Sequence, residues 1–357
     1  MIMVGGFLGA GKTTLLWEAA QRLTQRGLRV GLITNDQAPD LVDTAWLAGH
    51  GVAVQEVSGS CFCCNFPGLV SATKNLRAAA EADILVAEPV GSCTDLSATL
   101  LQPLKDKFAT ELVLSPLSVV IDPERLRDLL NGNGTLHPDA AYILRKQMEE
   151  ADVLLLNKID QLDHVDCQAL VQQTRNELAG TDIRAVSAQM GEGVDEWLDD
   201  MLAREDAGTK IAEVDYDRYA RGEAVLGWLN ATVHLRADQP DWAAYACRLL
   251  EMLRDRLADV DAAIGHVKLL VTTGDDCCVA NLTHTRGTVE VRGNVAKLSE
   301  AELTLNARAQ MPPADLERVV RDCLAETAGD QVEWEIGALR CFSPGRPNPT
   351  HRYDHVI

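Results

Sequence analysis

Residues 6–13 read GFLGAGKT, and they decide the fold of the first half of the chain. They follow a short apolar run at 2–4 and open a helix-forming segment from Lys12 to about Arg26. The spacing G-x-x-x-x-G-K-T in a strand–loop–helix context is that of a phosphate-binding loop. Glycines let backbone N–H groups turn inward around phosphate oxygens, and the helix start adds its dipole. Lys12 is placed to reach β and γ phosphates and the Thr13 hydroxyl to bind Mg²⁺. Gly6, Gly9, Gly11, Lys12, Thr13 and Thr14 are the expected contacts of a nucleotide.

Outward from this loop, apolar runs alternate with helix-like segments. LRVGLIT (28–34), GVAVQEV (51–57), ADILVAE (82–88), PLSVVID (116–122), ADVLLLN (151–157) and DIRAVSA (182–188) read as strands. Near-continuous apolar strands separated by helices indicate a parallel sheet covered on both faces. The first run is short, which points to a natural start codon upstream. A P-loop α/β domain is therefore expected over 1–204, with mostly parallel strands, and a linker over 205–223.

Beyond the linker the rhythm changes. AVLGWLNATVHLR (224–236) is strand-like, DWAAYACRLLEMLRDRLAD (241–259) an amphipathic helix and GHVKLLVTT (265–273) a strand. ELTLNARAQ, PADLERVVRDCLAETA and QVEWEIGAL repeat strand, helix and strand. Two such units over 224–340 predict a smaller α+β domain of the ferredoxin-like type. The Pro-rich tail, 341–357, is expected to be poorly ordered.

The 357 residues fit two domains, and 46% hydrophobic content suffices for a core. A formal net charge of −20 argues against general affinity for nucleic acid or an anionic membrane. There is no apolar run of about 18 residues and no signal peptide, so a reducing cytoplasm is the expected location. There, ten cysteines read as core residues, metal ligands or catalytic thiols before they read as disulfides.

LLLNKID ends a buried strand and supplies Asn157, Lys158 and Asp160. A carboxylate at that strand end can accept hydrogen bonds from guanine N1–H and N2–H₂. Adenine cannot offer that pair. The Lys158 stem can lie over the base, Asn157 can tie its loop to the phosphate loop, and an amide of Ser187 or Ala188 can reach guanine O6. GTP is thus favoured over ATP. ILVAEPVG places Glu88 at a strand end, suited to Mg²⁺ through water, and puts the Gly91 N–H where it can sense a γ-phosphate. Asp36, Asp40 and Asp43 are candidates to orient water or Mg²⁺. Asp122, ahead of Pro123, reads as a helix cap.

SGSCFCCNF (58–66) crowds Cys61, Cys63 and Cys64 near the same sheet edge. In an extended segment Cys61 and Cys63 point to one side, with Cα atoms ~6.5–7 Å apart. They can then share a metal through S–metal bonds of about 2.3 Å. Three thiolates leave a tetrahedral position open, which suits transfer better than storage. Redox chemistry and simple packing are the competing readings. Cys93 is read as a small buried residue first and a fourth ligand second. Cys277 and Cys278 read as packing residues, and His351 and His355 as solvated.

GGFLGAGKTTLL, CFCC, the strand-end EPVG and NKID occur in the order and approximate spacing of the CobW family of P-loop GTPases, which the chain resembles from Met1 to about Leu202. LGWLNATVHL resembles the start of that family's C-terminal domain. The resemblance implies a metal-responsive GTPase that delivers zinc, cobalt or a similar ion. By that match Lys12 and Thr13 serve phosphate and Mg²⁺, Glu88 is the switch acid, Asn157, Lys158 and Asp160 select guanine, and Cys61, Cys63 and Cys64 hold the transition metal. Asn35–Asp36 stands where the family usually shows Asn-Glu, and Pro-Val-Gly-Ser-Cys follows Glu88 where small hydroxyl residues are usual.

The expectation is a GTP-hydrolysing metallochaperone acting with GTP/GDP, Mg²⁺ and Zn²⁺ or Co²⁺, with Lys12, Glu88 and Asp36 as catalytic candidates. Its partner would be a client metalloprotein or metal-cofactor enzyme, and homo-oligomerisation is left open. The alternatives are a nucleotide-binding metal or redox sensor with little turnover, and an ATP-dependent small-molecule kinase.

Overall fold

The structure is a computed structural model describing residues 1–37, 42–49, 52–132, 134–286 and 289–357. In chain order the first elements are β1 (Ile2–Gly6), α1 (Lys12–Gln25), β2 (Val30–Asn35), α2 (Val42–Gly49), β3 (Ala53–Val57), α3 (Phe66–Ala79) and β4 (Ile84–Glu88). A π-helical turn at Ser97–Leu101 runs into α4 (Gln102–Phe108). Then come β5 (Ser118–Ile121), α5 (Pro123–Asn131), α6 (Pro138–Glu150), β6 (Val153–Leu156), α7 (His164–Glu177), β7 (Asp182–Ala185), α8 (Val194–Ala203) and α9 (Tyr216–Ala224). The last stretch holds β8 (Gly227–Ala237), α10 (Trp242–Asp259), β9 (Ile264–Thr273), β10 (Asp276–Leu282), β11 (Glu290–Asn294), β12 (Glu300–Ala309), α11 (Pro313–Ala328) and β13 (Val332–Phe342).

The chain divides into two compact units. The first comprises Met1–Gln37, Val52–Tyr219 and Arg346–Ile357. Its seven strands run parallel in the order β3-β2-β4-β1-β5-β6-β7. The run VLLL of β6 and SVVI of β5 are buried throughout, as a sheet covered on both faces requires. α1 packs on the sheet with Leu15, Leu16, Ala19, Ala20 and Leu23, an apolar stripe at helical spacing. Asp122 caps α5 as expected: its carboxylate accepts the Arg125 N–H at 3.1 Å, with Pro123 opening the helix.

The second unit joins the stretch carrying α2 to residues Ala220–Gly345. Its six-stranded sheet is antiparallel in the order β11-β10-β9-β12-β8-β13. Setting aside the β10–β11 extension, two strand–helix–strand units interleave as β9-β12-β8-β13, the ferredoxin-like arrangement. α10 buries Trp242, Tyr245, Ala246, Leu249, Leu250, Leu253 and Leu257, and Asp241 caps its first turn by accepting the Ala244 N–H at 2.9 Å. Val42 of α2 packs with Leu270 and Val279, and its N–H donates to Asn306 Oδ1 at 2.8 Å. Cys277 packs against this small cluster and Cys278 lies in the main core.

Two expectations change here. The tail is not loose: residues 346–357 make a series of hydrogen bonds within the first unit. Asp43 is held by Lys268, whose Nζ lies 2.6 Å from Oδ1, so its carboxylate is committed to an ion pair inside the second unit. Asp40 lies outside the described residues.

Candidate nucleotide and metal site

The phosphate loop leaves β1 at Gly6, whose φ of 129° only glycine adopts easily; a Cβ there would fall 2.2 Å from Val120 O. Gly11, at φ 93°, opens α1, and a Cβ there would meet Asn157 Nδ2 at 2.4 Å. Lys12 is buried, its Nζ donating to Phe7 O at 3.2 Å and lying 3.6 Å from Glu88 Oε1. Thr13 Oγ1 donates to Glu88 Oε2 at 3.2 Å. Glu88 therefore touches both loop side chains expected at the phosphates, because β4 pairs directly with β1. Gly91 lies hard against the same loop: a Cβ would come within 2.8 Å of Leu8 Cδ2, 3.1 Å of Lys12 Nζ and 3.2 Å of Leu8 N. Asp36 is buried at the end of β2.

Asn157 bridges two loops. Its Nδ2 donates to Ala10 O and its Oδ1 accepts from Ala188 N, each at 2.9 Å. The Ala188 amide, expected at a base oxygen, is thus engaged by Asn157. Asp160 is exposed and accepts a hydrogen bond from Ser187 Oγ. Lys158 adopts a left-handed φ of 60°, which turns the chain between them.

The cysteines do not lie in an extended strand. Residues 61–64 form a turn in which Cys64 N and Asn65 N both donate to Cys61 O, at 3.0 and 2.9 Å. The turn works because Asn35 organises it: Oδ1 accepts the Phe62 N–H at 2.7 Å, while Nδ2 donates to Val57 O at 2.7 Å and Ser60 O at 2.9 Å. Cys61 and Cys63 come 3.0 Å apart at sulfur, and Cys64 Sγ lies 3.8 Å from Cys63 Sγ. Cys93 joins them: the sulfurs of Cys61, Cys63 and Cys93 lie within 4.8 Å of one another, all buried. Cys64, half-buried, sits at the rim. Thiolates sharing a tetrahedral ion lie roughly 3.8 Å apart given bonds of about 2.3 Å, so this set fits a soft metal once the Cys61–Cys63 pair opens slightly.

Ionisation of the cluster is graded. Sulfhydryl donors from Cys63, Cys64 and Cys93 hold the Cys61 thiol far below its ordinary range. Cys63 is pushed well up by its bond to Cys61 and by burial, and Cys64 to about 11 with Cys61 the main cause. One thiolate forms easily and the next resists.

The loop from Glu88 to Cys93 is gripped from behind by α6. Gln147 Nε2 donates to Gly91 O at 3.1 Å and Cys93 O at 2.7 Å. Glu150 accepts from Thr94 Oγ1 and Ser97 N, both at 3.0 Å, and burial raises its carboxyl pKa to about 8. Sequence reasoning passed over Gln147 and Glu150. The signal was there: Gln147 interrupts the apolar stripe of Ala140, Ile143, Leu144 and Met148.

A strand-borne phosphate loop, an Asn-Lys-x-Asp turn at the next strand edge but one and a strand-end glutamate touching the loop's Lys12 and Thr13 define a P-loop nucleotide-binding protein. The chain belongs to the CobW/HypB/UreG family, whose nucleotide-binding domain matches residues 1–183. Comparison with curated proteins gives no match. Among solved structures, HypB from Helicobacter pylori in complex with nickel is 17% identical, with 57% of this chain and 86% of that one covered and a TM-score of 0.42. Zn(II)-bound YjiA GTPase from E. coli is 16% identical, covering 90% of this chain and 98% of its own, with a TM-score of 0.33. No helix among the described residues is long and apolar enough to cross a membrane.

Proposed function

We propose that the chain is a cytoplasmic GTP-hydrolysing metallochaperone that carries a thiophilic ion on its cysteine cluster and hands it to a client protein or cofactor pathway. One observation carries the reading. A single short loop touches both sites: Glu88 contacts Thr13 and Lys12, Gly91 abuts Lys12, and Cys93 lies among Cys61 and Cys63.

GTP phosphates occupy the loop amides, with Lys12 turning from Phe7 O to the phosphate oxygens. Thr13 and Glu88 offer hard oxygen donors that fit Mg²⁺. When bound there, Mg²⁺ supplies neutralising charge for the β and γ phosphates. Asp36 is the candidate to orient the water that attacks the γ-phosphorus in line as the bond to the bridging oxygen breaks, giving GDP and phosphate. Asp160 selects guanine through N1–H and N2–H₂, with Lys158 over the base and Asn157 holding the loops in register. Ser187 orients the Asp160 carboxylate, and the Ala188 amide is shared between Asn157 and the base.

The transferred ion is cargo. Soft sulfur donors favour zinc, cobalt(II) or copper(I) over magnesium. With Cys93 inside the cluster, the ligand set is Cys61, Cys63 and Cys93, with Cys64 at the rim. Loss of the γ-phosphate releases Gly91 and Lys12, and the same loop moves the Cys93 ligand. The second reading, a redox or metal sensor with little turnover, draws on the 3.0 Å approach of Cys61 and Cys63.

Turnover assays with GTP and ATP, with and without zinc, separate these. GTP-selective hydrolysis that responds to zinc supports the chaperone. Tight nucleotide and zinc binding without turnover supports the sensor, and preferential use of ATP overturns both.

A further inference from the structure

The tail crosses the thiol site. Pro347 and Pro349 stiffen it and carry no N–H, so over 347–350 the amides of Asn348 and Thr350 are the donors left. Both face the cysteine turn: Asn348 N donates to Cys64 Sγ at 3.3 Å and Thr350 N to Cys63 O at 2.7 Å. Thr350 Oγ1 adds a bond to Cys64 O at 3.2 Å, and the His351 ring packs edge-on to Phe66 at 5.0 Å.

Two residues on, the tail grips the other thiol-bearing loop. Arg352 Nε lies 2.7 Å from Oδ2 of Asp95, a fully buried carboxylate two positions after Cys93. Tyr216 OH meets the same oxygen at 2.7 Å. Tyr353 N donates to Ala98 O at 3.0 Å, and Ile357 N to Gln102 Oε1 at 2.9 Å. Cys63 and Cys93 sit on different loops, and this one strand of chain is bonded to both.

We propose that residues 346–357 form a clasp that fastens the Cys61–Cys64 turn to the Cys93 loop and closes the thiol cluster to solvent, so that entry and release of the ion require the tail to lift. The clasp rests on the metal reading only for its purpose, since its bonds to Cys63 and Cys64 stand apart from any ion. Its bonds to Cys64 are solvent-facing and few, the kind that open well below the cost of global unfolding. A client that competes for the clasp's binding path would open the site without unfolding the domain.

The test uses the full chain, a chain ending at Gly345, and Arg352→Ala, each reduced and metal-free. Iodoacetamide labelling rates at Cys61, Cys63 and Cys93 are read by peptide mass, and retained GDP binding reports the fold. Labelling is expected to rise about tenfold or more in the shortened chain and less in Arg352→Ala. A synthetic peptide of residues 346–357 should restore protection to the shortened chain. Equal labelling in all three, or no protection by the peptide, overturns the clasp. If the shortened chain does not bind GDP, Arg352→Ala carries the test, and an unchanged rate there overturns it. A parallel arm times removal of zinc by a chelator, expected to quicken in the same order. Failure of the full chain to bind zinc would sink the metal reading, and the labelling arm would still decide the clasp.

Discussion

Asn157 and Asp160 stand three residues apart in one motif, and their surroundings assign them opposite consequences when altered. Asn157 is buried, with its amide satisfying Ala10 O on one side and Ala188 N on the other. Asn157→Ala removes two hydrogen bonds and strands a carbonyl and an N–H away from water. Each lost bond costs about 0.5–1.5 kcal/mol net, and each buried group left unpaired about 1–3 kcal/mol. With partial relaxation the expected loss is about 2–4 kcal/mol, or roughly 5–10 °C in the melting temperature of a domain this size. It should be seen in nucleotide-free protein by calorimetry, because no base is involved. Asp160, exposed and bonded only to Ser187 among the described contacts, should behave oppositely. Asp160→Asn should barely move the melting temperature, since exposed substitutions fall within about 0.5 kcal/mol. It should instead weaken GDP and favour xanthosine diphosphate, whose O2 and N1–H match an amide. An Asn157→Ala melting temperature within about 1 °C of the parent would refute the bridging argument. A large loss of apo stability in Asp160→Asn would refute the division of roles.

Gly91→Ala puts a methyl 2.8 Å from Leu8 Cδ2 and 3.1 Å from Lys12 Nζ, so affinity for a fluorescent GTP analogue should fall about tenfold to a hundredfold and GDP less. Equal losses for both would separate Gly91 from the γ-phosphate. Glu150 has its pKa raised by burial to about 8, so the folded state holds the proton more tightly than the unfolded chain. Its contribution is full below the ordinary carboxyl range and is lost as pH climbs through 8. Between pH 5 and 8.5 the parent should lose roughly 4 kcal/mol more than Glu150→Gln in urea unfolding, and parallel profiles would refute this. Cys63 resists ionisation, so zinc must displace its proton. Zinc affinity should fall roughly tenfold per displaced proton for each pH unit downward, measured by competition with a chelator, and a flat profile would exclude this thiol as a ligand.

What the sequence made legible was local. The phosphate loop, the Asn-Lys-x-Asp turn and the Asp122 cap are each contained within a few residues and dictated by backbone geometry, so spacing alone reveals them. Cys93 was read mainly as packing because its approach to Cys61 and Cys63 depends on how two strand ends neighbour one another in the sheet. The cysteine turn was taken as extended because the residue that bends it, Asn35, lies on another strand. Asp43 looked like a switch residue by position, yet Lys268, 225 residues away, claims it. The Pro-rich tail matched the composition of disorder, and only its long-range partners order it.

The central claim is that one loop couples nucleotide to metal. Its most direct test is the zinc affinity of the reduced chain, measured by chelator competition in the presence of Mg²⁺ with either a non-hydrolysable GTP analogue or GDP, with a Cys61→Ser/Cys63→Ser/Cys93→Ser variant alongside. The account expects tight binding in the parent, a tenfold or larger difference between the two nucleotide states, on the scale of ordinary site coupling, and loss of binding in the variant. Identical affinity in both nucleotide states would contradict the coupling, and unchanged binding in the variant would contradict the metal site itself.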